Sequence, residues 1–138
     1  MAETKQTLTR TVIDHAINPR NAGNIPDADG FCAITGPCGD TMEIWLSIRN
    51  DRVENITFWT DGCDTTIACG SIATELVKGK DVAQALSIKQ SAIIEALGGL
   101  PKDSAHCALL AANTIKKAIQ DYLIIKKEPW KKAYRRKY

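Results

Sequence analysis

Two stretches of alternating side chains fix the centre of this chain. Over residues 42–49 the apolar Met42, Ile44, Leu46 and Ile48 alternate with Glu43, Trp45, Ser47 and Arg49. A period of two marks a half-buried strand, whose successive side chains point to opposite faces. Asn50-Asp51 supplies a tight turn, and Val53–Thr60 reads as the returning strand of a hairpin.

Helical patterns flank the hairpin. Leu8, Val12, Ile13, Ala16 and Ile17 make one stripe over residues 4–17. Asn18-Pro19 stops it, because the residue before proline is pushed out of the helical region. Residues 20–41 are rich in Gly, Pro, Asn and Asp and read as loop, with a short strand near Phe31–Thr35. After the hairpin, Asp61-Gly62-Cys63-Asp64 turns directly into a helix from about Thr65 to Lys78, with Gly79 as its stop. Asp81 reads as the cap of a short turn through Leu86, and Ser87 or Ser91 as the cap of a helix reaching Ala96. Gly98-Gly99-Leu100-Pro101 breaks the chain. Ser104 then caps a long helix to about Ile125, with Ala108, Leu109, Ala112, Ile115, Ile119 and Leu123 inward. Helix, small antiparallel sheet and further helices make an α+β fold, one domain at 138 residues.

Charge divides the chain at the end of that helix. Residues 126–138 carry seven basic side chains against one acid, Glu128, and residues 1–125 carry eleven basic against fifteen acidic. The expected organisation is a domain over 1–125 and a basic tail over 126–138. The tail reads as a solvated end, or as a docking segment with Trp130, Tyr134 and Tyr138 among its cations. A basic-tailed nucleic-acid-binding module with a structural metal is the least favoured reading, since the body is acidic. No apolar run reaches the length of a membrane span, and the N-terminus lacks a secretory pattern. A soluble, cytoplasmic protein without a membrane partner is expected.

Five cysteines stand at 32, 38, 63, 69 and 107. An odd number without a secretory signal argues against a disulfide framework. Cys38 lies between Pro37 and Gly39 with Asp40 close by, Cys63 at a strand-to-helix handover, and Cys107 after His106 at a helix start. Helix N-termini favour thiolate, the form that binds metals and attacks sulfur. Cys69, in the run Ile67–Ala73, and Cys32, beside Phe31, read as packing residues. His15 reads as a surface or satisfied core histidine. No Cys-x-x-Cys or paired-histidine spacing of a zinc finger occurs. The residues themselves point to a cysteine-based metal site, zinc or iron–sulfur.

A series of short matches goes further. Asn18-Pro19-Arg20-Asn21-x-Gly23, Pro37-Cys38-Gly39-Asp40-x-Met42, Gly62-Cys63, Ile67-Ala68, Ser71–Glu75, Lys78-Gly79-Lys80 and His106-Cys107-x-x-Leu110-Ala111 occur in order. In these the chain resembles the IscU/NifU-type iron–sulfur cluster assembly scaffolds. The resemblance implies a three-stranded antiparallel sheet packed against helices. It implies a scaffold, not a turnover enzyme, that receives sulfur from a cysteine desulfurase. Such a scaffold assembles a [2Fe–2S] cluster from iron and that sulfur, and passes it to apo iron–sulfur acceptor proteins. It places the cluster ligands on Cys38, Cys63 and Cys107, with Asp40 and His106 as more labile contacts. A zinc-bound persulfide acceptor is the alternative reading of the same ligands, and a homodimer is left open. Otherwise Asp40 merely caps the turn before Met42. Asp64 replaces the usual glycine after the second cysteine. Leu100-Pro101-Lys102-Asp103-Ser104 replaces the segment shown to a heat-shock-type chaperone, so that partner is doubtful.

Overall fold

The computed structural model describes residues 8–134. Helix α1 (Arg10–Ile17) leads through a loop to strands β1 (Gly30–Thr35), β2 (Thr41–Arg49) and β3 (Arg52–Thr60). Helices α2 (Asp64–Val77), α3 (Val82–Leu86), α4 (Gln90–Ala96) and α5 (Ala105–Lys127) follow, and a 3-10 turn (Pro129–Tyr134) closes the described chain. The sheet is antiparallel in the order β1-β2-β3, with α5 across β1 and β2 and α2 against β3. This is the expected α+β architecture, including the long C-terminal helix.

Asn50 and Asp51 both adopt left-handed backbone, at φ +54° and +58°, the geometry of the two-residue turn that suits strand twist. Beyond it the register shifts: Ser47 faces Asn55 and Ile48 faces Val53, leaving Glu54 as the extra residue of a bulge. The bulge lets Val53, Ile56 and Phe58 all join Met42, Ile44 and Leu46 in the core, although Val53 and Ile56 are three apart. On the opposite face Trp45 is also buried, its ring 5.2 Å from that of Phe31.

The inward stripe of α5 differs from the expected one. Leu109 and Leu123 are exposed, while Cys107, Ala108, Leu110, Ala111, Ala112, Thr114, Ile115, Ala118 and Ile119 are buried. Close approach is the reason, since a Cβ on Gly30 would stand 2.6 Å from the Ala118 carbonyl oxygen. Ala118 therefore takes the position against Gly30, and Leu110, Ile115 and Ile119 are buried, while Leu109 and Leu123 lie on the exposed flank. Helix starts differ too. Asp81 caps α3 in a full capping box with Gln84, but Lys89 occupies the cap position of α4 and Ser87 bonds back to Ala83. Ser104 precedes α5 without a side-chain cap bond.

The Asn18–Gly23 motif has a packing role. The Arg20 N–H donates to Ser71 Oγ at 2.8 Å, Asn21 Nδ2 donates to Thr74 Oγ1 at 3.0 Å, and the Phe58 N–H donates to the Asn21 carbonyl at 3.0 Å. The loop is thus pinned to α2 and to the free edge of β3. His15 is a satisfied core histidine, with Nδ1 2.6 Å from Ser71 Oγ. Since Ser71 Oγ already accepts from Arg20, its hydrogen is available to Nδ1, which suits the neutral ring. Burial lowers the His15 pKa, helped by Arg20 and opposed by Asp14 and Glu75. A lowered histidine pKa contributes stability above the unfolded value, near 6.5, and loses it as pH falls through the folded value. Urea unfolding at neutral pH and near pH 5.5 should therefore show a larger acid loss in wild type than in His15→Gln. Equal losses would exclude this role.

Candidate functional site

Three separate pieces of chain meet at one end of the sheet: the β1–β2 loop, the start of α2 and the start of α5. Pairing of Thr35 with Thr41 closes residues 36–40 into a tight loop, braced by the Gly36 N–H donating to the Asp40 carbonyl at 2.8 Å. Cys38 is exposed on this loop. The entry to β2 is tied to the end of β3, with the Thr41 N–H donating to Asp61 Oδ1 at 2.8 Å and Thr60 Oγ1 to the Thr41 carbonyl at 2.7 Å. Asp61, not Asp40, serves the first amide of β2. The Asp40 carboxylate instead faces α2.

Cys63 is the N-cap residue of α2, exposed and without a side-chain cap bond. Partial burial raises its thiol pKa, but the amides of Thr66 and Thr65 and the Thr66 hydroxyl outweigh burial and the repulsion of Asp40. The net direction is down, toward thiolate, as a helix N-terminus dictates. Cys107, in the first turn of α5, is buried. Burial pushes its thiol up, and the charges of Cys63, Cys38 and Asp40 add to that against the Thr66 hydrogen bond. His106 is exposed beside it, with Nε2 3.7 Å from Cys107 Sγ.

At the centre stands Thr66. Its Oγ1 lies 2.9 Å from Asp40 Oδ2, 3.3 Å from Cys107 Sγ and 3.8 Å from Cys63 Sγ. A hydroxyl has one hydrogen, and the carboxylate is the stronger acceptor. The Cys107 thiol can then donate into the hydroxyl lone pairs. Gly62 makes the arrangement sterically feasible, since a Cβ there would stand 2.6 Å from Thr66 Cβ and 2.7 Å from Asp40 Oδ2. Thr66 escaped the sequence reading. The available signal was its place three residues after Cys63, from which a side chain in the first helical turn reaches back to the cap.

Of the five expected site residues, Asp40, Cys63 and Cys107 meet at Thr66, His106 adjoins Cys107, and Cys38 lies on the Asp40 loop near enough for its charge to bear on Cys107. Among the described residues no three His, Cys, Asp or Glu side chains already enclose a metal position; the donors surround a hydroxyl instead. Three thiols with a carboxylate and an imidazole suit iron or zinc chemically. Cys69 is fully buried in α2, its thiol driven strongly upward by burial, then by Cys107 and Cys63. Cys32 is half-buried against the core, and burial raises it as well.

The family model for the NifU-like N terminal domain matches residues 7–129. The chain is 50% identical over 112 residues to the iron–sulfur cluster assembly scaffold protein IscU 1 of Archaeoglobus fulgidus, covering 80% of this chain and 73% of that protein. It is 43% identical over 116 residues to the IscU scaffold protein of Aquifex aeolicus, covering 82% of this chain and 74% of that one. The N-terminal part of a nitrogen-fixing NifU-like protein from Brucella abortus has the same fold, with a TM-score of 0.67 at 16% identity over 84% of this chain and 94% of that structure. With the family model spanning residues 7–129 and both relatives aligned across four-fifths of its length, the chain belongs to the NifU-like N-terminal domain family of IscU-type proteins.

Proposed function

We propose that this chain is a scaffold on which iron–sulfur clusters are assembled and from which they are passed on, the cluster being cargo and not a resident cofactor. The observation that carries this reading is the meeting of Asp40, Cys63 and Cys107 on the Thr66 hydroxyl, from three pieces of chain that are remote in sequence. In the proposed loaded form, a [2Fe–2S] cluster is held by the thiolates of Cys38, Cys63 and Cys107, with Asp40 as the labile fourth contact and His106 as its neighbour. Asp40 and Cys107 give up their bonds to Thr66 as they take iron. The repulsion from Cys63, Cys38 and Asp40 that adds to burial in raising the Cys107 thiol becomes an attraction for a cation.

Cys63 suits sulfur reception, being exposed and shifted toward thiolate. Its thiolate attacks the outer sulfur of a persulfide on a cysteine desulfurase. A new S–S bond forms at Cys63 as the partner's thiolate leaves. The loaded scaffold then hands its cluster to apo iron–sulfur proteins. We place this activity in residues 1–125, treat 126–138 as an appended segment, and assign the cytoplasm as its compartment. No helix among the described residues is long and apolar enough to cross a membrane.

Zinc fits the same donor set, so the test must separate the metals. Anaerobic reconstitution with iron and sulfide should give iron and acid-labile sulfide in equal amounts and a visible charge-transfer spectrum. A protein that keeps stoichiometric zinc and takes up no labile sulfide under those conditions would overturn the scaffold reading in favour of a zinc-bound sulfur acceptor.

A further inference from the structure

Two fully buried threonines of this chain turn their hydroxyls back on their own helices. Thr114 Oγ1 donates to the Leu110 carbonyl four residues earlier at 2.7 Å, and Thr74 Oγ1 donates to the Ser71 carbonyl at 2.7 Å. A carbonyl of the preceding turn is the usual partner of a helical hydroxyl. Thr66 is buried just as fully, yet its hydroxyl leaves α2 and meets Asp40 Oδ2 at 2.9 Å, on a loop 26 positions earlier. Gly62 keeps the way open, since a Cβ there would crowd both partners.

The loop does not depend on this bond for its shape. The Gly36 N–H donates to the Asp40 carbonyl at 2.8 Å, the Gly39 N–H donates to the Gly36 carbonyl at 3.0 Å, and Asp61 serves the first amide of β2. What the hydroxyl holds is the half-buried carboxylate itself, the group assigned above as the labile contact to iron. A hydrogen bond to an ionised oxygen is stronger than one between neutral groups. The same hydroxyl lies 3.3 Å from Cys107 Sγ, so one side chain orients two of the assigned ligands.

We propose that Thr66 is a positioning residue whose hydroxyl competes with iron for the Asp40 carboxylate, and so sets how readily the site gives up its metal. The inference rests on the scaffold reading for its cargo, though its geometry stands without it. On release, the bond between iron and the Asp40 oxygen breaks, and the hydrogen bond from Thr66 to Oδ2 forms. The hydroxyl keeps its hydrogen throughout, so no proton or electron passes between the two residues. Without that partner, the half-buried carboxylate would leave iron with part of its hydrogen bonding unmet. Serine at this position keeps the device, and valine keeps the branched shape while removing it.

Co2+ alone is the first probe, because its visible bands report thiolate ligation and require no cluster. Thr66→Val should lose bound Co2+ to an excess of chelator about tenfold more slowly than wild type, since the released state lacks one hydrogen bond to a charged group. Thr66→Ala removes the hydroxyl without adding bulk and should behave alike, which covers the case of a valine variant that circular dichroism finds unfolded. Thr66→Ser should release at close to the wild-type rate. Passage of a reconstituted cluster to an apo-ferredoxin should slow by the same factor in both hydroxyl-free variants and not in the serine variant. In an Asp40→Ala background, Thr66→Val should change neither rate further, because the carboxylate it serves is gone. Wild-type release from folded hydroxyl-free variants would overturn the proposal, and so would an undiminished effect in the Asp40→Ala background. A wild-type protein that takes up no labile sulfide would bring down the scaffold reading instead, while Co2+ release would still decide the role of Thr66.

Discussion

Cys63→Ser should abolish retention of a reconstituted cluster, whereas Cys69→Ser should keep it. Cys38→Ser and Cys107→Ser should behave like Cys63→Ser, and Cys32→Ser like Cys69→Ser. Loss of a direct ligand should cost more than about tenfold in retention, since even outer-shell partners of metal ligands cost that much. The contrast rests on placement. Cys63 and Cys38 open to solvent at a helix cap and a loop, and Cys107 reaches the same cluster from α5. Cys69 sits one turn beyond Thr66, fully buried, and burial pushes its thiol strongly up, away from thiolate. A serine there can return its hydroxyl to a carbonyl of the preceding helical turn, so the fold should survive. Anaerobic reconstitution of each variant, read by visible absorption and iron content, makes the comparison. A folded Cys69→Ser that loses its cluster as completely as Cys63→Ser would show that the ligand set is misassigned.

What the sequence revealed about this site was its parts, and what it concealed was how they meet. Alternation over 42–49, the Asn50-Asp51 turn and the Asp81 cap each depend on neighbours a few residues away, and the structure reproduces them. The α5 stripe depends instead on how closely α5 approaches β1. A reading that expects large apolar residues inward selects Leu109 and Leu123, but with Ala118 meeting the strand at Gly30 it is Leu110, Ile115 and Ile119 that are buried and those two leucines that are exposed. Trp45 has the same history: alternation puts it on the outer face, and Phe31 from another strand helps to bury it there. Thr66 was concealed for a related reason. Nothing in a Cys-Asp-Thr-Thr run shows that a hydroxyl will face a carboxylate 26 positions earlier and a thiol 41 positions later. Cys63, Cys107 and Asp40 stood out in the sequence because they lie at turns and helix starts, although Cys107 proves buried. Their common partner belongs to tertiary structure.

Asp40→Ala should leave the protein folded and slow cluster transfer to an apo-ferredoxin, with the loaded form lasting longer in air. A carboxylate is a harder donor than thiolate and binds the iron of a cluster less firmly, so in the proposed loaded form Asp40 would be the contact that opens first. Its position supplies a second reason. When Asp40 leaves iron, the Thr66 hydroxyl, 2.9 Å from its Oδ2 in the described structure, can receive it, which stabilises the open form. Removing the carboxylate removes that exit and leaves His106, adjacent to Cys107, as the remaining nearby donor. Imidazole suits iron better than carboxylate does, so the cluster should be held longer. The turn should tolerate the change, because the amide that opens β2 is bonded by Asp61 and the loop is braced by the Asp40 carbonyl, which alanine keeps. Circular dichroism would confirm the fold, and the rise of holo-ferredoxin absorption would time the transfer. A folded Asp40→Ala scaffold that delivers its cluster as fast as wild type, or faster, would remove Asp40 from the ligand set and leave its bond to Thr66 as a purely structural contact.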